Sequence, residues 1–200
     1  MLELVLSGSR RNRLQVRGLR FPFPVAAEIE CGECAVWLPG EMRDPDALAP
    51  EWIPPLELVN VGVAPDSRVS FRRLLPSDPH ATPQRAPSRD KPVTAALSFA
   101  VFGLPDAAWH AGAATLALGL NSSAMLSRQL LKEGECLRDI VITQRLMRVL
   151  FDLAGGKPLS LAPHRYGFPD RCRLENALFD RFCLIPDLLA QPPSGFDRAA

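Results

Sequence analysis

"GFPDRCRLENALFDRFCLIP", residues 167–186, decides how the second half of this chain folds. Gly167-Phe168 reads as a helix stop followed by an aromatic plug, and Pro169-Asp170 as a turn into a helix that Asp170 caps. Leu174, Leu178 and Phe182 recur every fourth residue. That spacing marks one face of an α-helix over 173–182, and an apolar face of this kind is core. Arg173, Glu175 and Asn176 are turned onto the other faces, so what those faces meet depends on the segments before them.

Working back from Pro92, the apolar period is that of helices. Helices are expected over 93–103, 109–119, 122–134 and 137–154, with Asn121, Ser122 or Ser123 as a cap and Gly119, Gly134 and Gly155-Gly156 as stops. The stretch 159–167 reads as a short helix interrupted by Pro163. Helix, glycine, short turn and helix therefore occur twice, around Gly119 and around Gly167, on either side of the long helix 137–154. Two short helices across a tight turn form a helix-turn-helix, whose second helix can reach base edges in the major groove. In the first pair Leu126 and Leu130 face inward, which leaves Met125, Ser127 and Arg128 as the outer face. A guanidinium at Arg128 can pair with guanine O6 and N7 or with a phosphate, and Lys132 one turn on suits a phosphate. The helix start at Ser122 and Ser123 offers backbone N–H groups to a phosphate.

These residues resemble the C-terminal domain of the AraC/XylS family of bacterial transcription regulators, over about 109–189. "AWHAGAATLALGLNSSAMLSRQLLKEG" resembles the family's first helix-turn-helix, and "CLRDIVITQRL" the start of its connecting helix with Arg145-Leu146 as the arginine–leucine pair. Gly167-Phe168, Asp170, Leu174, Ala177-Leu178, Phe182 and Pro186 fall in order on the second-motif signature, which is long and spaced and so more specific than a periodic helix. The chain departs from the family at four places. Residues 159–167 are about two residues short, Pro163 falls inside a helix, the turn before Ala124 is one residue long, and Glu175 and Asn176 stand where polar and arginine contacts are common. Arg171 and Arg173 can hold the backbone instead.

The resemblance implies double-stranded promoter DNA as partner, bound chiefly through the first recognition helix at about 122–132. The candidate contacts are Ser122, Ser123, Met125, Ser127, Arg128 and Lys132, with Arg171, Arg173, Glu175 and Asn176 in a degenerate second motif. Leu126, Leu130, Leu174, Leu178 and Phe182 are the expected core. A small effector, a regulatory protein, RNA polymerase and a second copy of the chain are further partners the resemblance admits, in the bacterial cytoplasm at the nucleoid. The competing expectation is an adaptor or anti-activator that keeps the fold with little DNA binding. The near-neutral charge of residues 92–190, ten Lys or Arg against nine Asp or Glu, favours it, as do Pro163 and Glu175-Asn176. The first twenty residues, with five arginines against Glu3, favour DNA.

Residues 1–75 read as a strand-rich domain for sensing, dimerisation or interaction. Its runs are LELVL, LQVRGLRF, VAAEIE, CAVWLP, PLELVNVG and VSFRRLL, while 39–55 reads as a loop with at most one helical turn. Residues 76–92 hold five prolines and almost no bulky apolar side chain, the composition of a linker, and 191–200 form a tail. The fold class expected is α+β in two parts, strand-rich and then an all-α tandem helix-turn-helix domain over 93–190. No metal, cofactor or enzymatic role is expected: the sequence has no phosphate-binding glycine loop and no serine elbow. Cys31-Gly32-Glu33-Cys34 reads as a hairpin turn, Cys136, Cys172 and Cys183 as small core members, and His110 and His164 as ordinary polar residues. Arg145 is expected to make an internal salt bridge between the two halves. Trp109 is expected to anchor a helix start. A signal peptide and a membrane span are not expected.

Overall fold

The computed structural model describes residues 2–9, 12–38, 41–43, 50–75, 91–157 and 163–186. Most of the expected linker (76–90) and the tail 191–200 lie outside them. The N-terminal part is all antiparallel strand: β1 (Glu3–Ser7), β2 (Leu14–Leu19), β3 (Val25–Cys31), β4 (Cys34–Leu38), β5 (Glu41–Arg43), β6 (Glu51–Ile53), β7 (Val59–Val63) and β8 (Arg68–Arg73). They form two four-stranded sheets, β1-β8-β3-β6 and β2-β7-β4-β5. Each main strand alternates, so Leu4 and Leu6, Leu14 and Val16, Val59 and Val61, and Val69 and Phe71 point into one core. Trp37 of β4 lies over Gly62 of β7, where a Cβ would come 2.8 Å from the indole.

The six expected strand runs are present, and two more short strands, β5 and β6, arise inside 39–55, which is therefore more than a loop. Each sits at a sheet edge, where three residues pair with a longer neighbour that supplies the register. Cys31-Gly32-Glu33-Cys34 is also corrected. Because β3 and β4 belong to different sheets, the segment is a corner between layers and not a hairpin turn. Gly32 makes the corner at φ +73°, and Glu33 N donates to Ser67 Oγ at 2.9 Å. Burial and the neighbouring Cys31 push the Cys34 thiol up to about 11, which keeps it protonated.

The C-terminal part is helical: α1 (Pro92–Gly103), α2 (Ala111–Ala117), α3 (Ser123–Lys132), α4 (Leu137–Ala154), a 3-10 turn (Pro163–Tyr166) and α5 (Arg171–Phe182). Of the short helix expected over 159–167, the described part from Pro163 to Tyr166 is a 3-10 turn; 158–162 lie outside the described residues. Gly119, Gly134, Gly156 and Gly167 all take positive φ at the ends of their elements. α1 has no cap of its own. The Glu133 carboxylate, at the C-terminal end of α3, accepts from Val93 N at 3.0 Å and Thr94 N at 2.7 Å and supplies it.

Two apolar clusters run through the helices. Leu97, Val101, Ala114, Leu126, Leu130, Ile140 and Val141 hold α1, α2, α3 and the start of α4 together. The rest of α4, with Leu174, Leu178, Phe182 and Leu184, belongs to the same cluster as the interior of the two sheets. α4 packs on β1 and α5 on β2, where Gly18 (φ +71°) lets the strand approach the carbonyl of Arg181. At the junction Phe21, Phe23, Phe71, Phe102 and Phe151 stack or meet edge to face at 5.2–6.2 Å. The three cysteines expected in the core are all exposed: Cys136 before α4, Cys172 on the outer side of α5 and Cys183 at its left-handed end.

Candidate nucleic-acid interface

α3 is set by its first residues. Ser122 is the N-cap, and its hydroxyl accepts from Met125 N at 3.2 Å. Leu126 and Leu130 are buried as expected and fix the rotation of the helix. Ser123, Ser127, Arg128 and Lys132 are then exposed on its outer side, and Met125 is half-buried. Among the described residues Arg128 and Lys132 have no acidic partner, and Glu133, the nearest acid in sequence, is turned inward to cap α1. Leu131, 78 % exposed, adds an apolar side chain to this turn. In front, α2 is capped by His110, whose Nδ1 accepts from Ala113 N at 3.3 Å. This role was not legible from a histidine among alanines. Trp109 is half-buried and donates from Nε1 to Leu104 O at 2.8 Å, which anchors the chain just ahead of α2.

α5 is built alike and presents something different. Asp170 caps it, accepting from Arg173 N at 2.8 Å, and Leu174, Leu178 and Phe182 are fully buried. Arg171, Arg173 and Asn176 are exposed and Glu175 is half-buried. Arg171 donates to Glu175 Oε1 at 2.5 Å, and Asn176 Nδ2 contacts Cys172 Sγ at 3.6 Å, so much of this polarity is spent within the helix. Beside it lies an open groove of about 260 Å³, lined by Arg171, Glu175, Asn176, Phe179, Ile185 and neighbouring residues. Phe179 and Ile185 are 56 % and 52 % exposed.

Two side chains on α4 hold the motifs in relation to each other. Arg145 donates from Nε to Pro105 O and from a terminal nitrogen to Ala107 O, both at 2.8 Å. It ties α4 to the loop before α2, and Gly167 sits against its guanidinium. The internal role expected of Arg145 is met by carbonyls and not by a salt bridge; Asp106 lies near enough only to offset, in part, the downward push of burial on its pKa. At the other end of α4, Asp152 accepts from Tyr166 Oη at 2.8 Å and Lys157 Nζ at 2.9 Å, with Arg148 Nε at 3.4 Å. This cluster carries the 3-10 turn that leads into α5.

Burial alone would raise the Asp152 carboxyl, but the bonds from Lys157 and Tyr166 and the charge of Arg148 outweigh it and hold the pKa below the ordinary value. A depressed carboxyl stabilises the fold above its unfolded pKa, and that share is lost as pH falls through the folded value, below about pH 4. Asp152→Asn should therefore flatten the fall of stability in that acid range. Urea unfolding at a series of pH values checks it, and an unchanged acid slope counts against the cluster.

Nothing matches this chain among protein-family models or curated protein sequences. Solved structures do match. ToxT from Vibrio cholerae, in its P21 crystal form, superposes with a TM-score of 0.66 at 9 % identity, over 96 % of this chain and 98 % of that one. The chain has the ToxT fold. ToxT bound to (E)-4-(8-methylnaphthalen-1-yl)but-3-enoic acid matches at TM-score 0.64 and 9 % identity, over 94 % of this chain and 97 % of that one. Wild-type ToxT of Vibrio cholerae strain SCE256 bound to unsaturated fatty acid matches at 0.56 and 9 %, over 94 % and 93 %. A strand-rich N-terminal domain followed by an all-helical one is thus the arrangement of the ToxT fold from end to end. Among the described residues no group of three His, Cys, Asp or Glu side chains could hold a metal ion, and no helix is long and apolar enough to cross a membrane.

Proposed function

We propose that this chain is a transcription regulator of the AraC/XylS type that binds promoter DNA chiefly through α3. The observation that carries the reading is the outer face of α3, where Arg128 and Lys132 stand exposed beside Ser123 and Ser127 with no acid among the described residues paired to them. Arg128 is the residue for a base edge or a phosphate, Lys132 for a phosphate, and the serines at the helix start for the backbone. The likeness to ToxT supports a regulatory DNA-binding role in general. Since two ToxT structures hold a carboxylic acid, a small-molecule effector belongs to the same reading.

Arg128→Ala should cost about 1–3 kcal/mol on a cognate site if the guanidinium is bidentate to guanine. If it holds a phosphate, specific and non-specific affinity should fall together and the salt slope should shrink by about one counterion. Fluorescence anisotropy on a pool of promoter fragments, titrated with salt, measures both. Affinity equal to wild type on every fragment removes Arg128 from the interface. A second reading, a protein adaptor of the same fold, is favoured by the Arg171–Glu175 pair and by Phe179 and Ile185 exposed at the groove of α5. In the same assay Asn176→Arg distinguishes the two. It should strengthen binding and steepen the salt dependence in a regulator whose second motif has lapsed, and leave DNA binding undetectable in an adaptor.

A further inference from the structure

Where α1 and α4 meet the β domain at Arg20, the seam leaves a small, partly open void of about 10 Å³. Thr94 of α1 and Thr143 and Gln144 of α4 line it, with Arg20, Glu135 and Asp139. Thr94 Oγ1, Thr143 Oγ1 and Gln144 Oε1 are buried there with no hydrogen-bond partner among the described residues, in residues only 2, 3 and 2 % exposed. Buried oxygens of this kind are costly unless something satisfies them, and three around one void is not a scattering of isolated defects. The Gln144 amide is not free to turn. Its Nε2 donates to Arg20 O at 3.1 Å, which directs Oε1 away from that carbonyl. The walls are also held. Glu135 Oε1 accepts from Arg20 at 2.9 Å and from Lys91 at 2.8 Å, and Glu133 fixes the backbone at Thr94.

We propose that this void is the binding site of a single structural water that joins α1, α4 and the β domain. Its size is about the room one water centre occupies, and although Leu56 and Ile140 also line it, the three unpaired oxygens in its wall are what separates a wet cavity from a dry one. The hydrogen bonds balance. The two threonine hydroxyls donate to the water's lone pairs, one water proton goes to Gln144 Oε1, and the other is left for the Glu135 or Asp139 carboxylate. The two domains therefore meet on a dry aromatic side at Phe21, Phe23 and Phe151 and on a hydrated side here. The proposal holds whether or not the chain binds DNA.

Two measurements on the full-length chain test it. A high-resolution crystal structure should show ordered solvent density within hydrogen-bonding distance of Gln144 Oε1 and both threonine hydroxyls. Thr94→Val and Thr143→Val keep the shape and delete the hydroxyl. Each should lower Tm by about 2–4 °C, the shift for one net hydrogen bond in a chain of this length. A rise in Tm for either variant, the response of a dry site relieved of an orphaned hydroxyl, overturns the proposal. So does an ordered wild-type map without density in the void, whatever the variants do.

Discussion

Phe151→Ala is expected to destabilise the protein by about 3–5 kcal/mol and to lower the unfolding of both domains together. Phe151 lies on α4, yet its ring meets Phe21 at 6.2 Å and Phe23 at 5.9 Å, both from the segment between β2 and β3, and Phe102 of α1 at 5.4 Å. Truncation removes a buried ring and three edge contacts and leaves a cavity that two sheets and two helices would have to collapse together to fill. Stability for a domain totals only about 5–15 kcal/mol, so this one change takes a large share. The two domains have no separate interiors at this point, and that is why the effect is shared. Single-tryptophan variants that keep Trp37 of β4 or Trp109 ahead of α2 report each side. The two urea curves should move together, and an unmoved Trp109 transition would mean that the helices fold without the β domain.

The same continuity bears on α5. In a helix-turn-helix the supporting helix carries the inner face of the recognition helix. Here the element before α5 is a four-residue 3-10 turn, and Leu174, Leu178 and Phe182 are buried in the cluster that β2 and the other strands share. Where α5 points is therefore set partly by the β domain, and anything that moves β2 moves α5.

What the sequence makes legible follows from how local each interaction is. Ser122 and Asp170 act on amides three residues away, so capping chemistry identifies them without any knowledge of the fold. The period of Leu174, Leu178 and Phe182 identifies an inward face for the same reason. Periodicity does not say what that face is buried against, and here it is a strand some 160 residues earlier in the chain. Glu133 and Glu135 flank Gly134 and carry no local sign of a partner, but one caps α1 about 40 residues before it and the other clasps Arg20 and Lys91. Short edge strands such as β5 and β6 carry too few residues to show alternation. The three exposed cysteines mislead because a small apolar side chain carries no marker of the face it occupies. Of the candidate interface, the outward set of α3 is legible from Leu126 and Leu130 alone. The Arg171–Glu175 pair has the i, i+4 spacing that could have announced it.

Gly167→Ala is expected to be the most damaging small substitution in the helical domain, at roughly 2.5–5 kcal/mol. Two costs combine. Gly167 takes φ +72°, a region where a Cβ costs roughly 1–2 kcal/mol. That Cβ would also run into the Arg145 guanidinium, which is held by the carbonyls of Pro105 and Ala107. A half-buried guanidinium displaced from two carbonyls loses charge-assisted bonds worth about 1.5–3 kcal/mol. The two costs can be separated because only the second involves Arg145. In an Arg145→Ala background the collision disappears, and Gly167→Ala should then cost only the backbone strain. Urea unfolding of wild type, both single variants and the double variant closes the cycle, with a coupling of about 1.5–3 kcal/mol expected. Strict additivity would show that the guanidinium swings aside freely, and Arg145 would then not be what holds Gly167 against the loop before α2. If the coupling is present, the angle between the two motifs depends on that contact. On the proposed DNA-binding reading, Arg145→Ala should then weaken binding to a full promoter site more than to a half site bound through α3 alone.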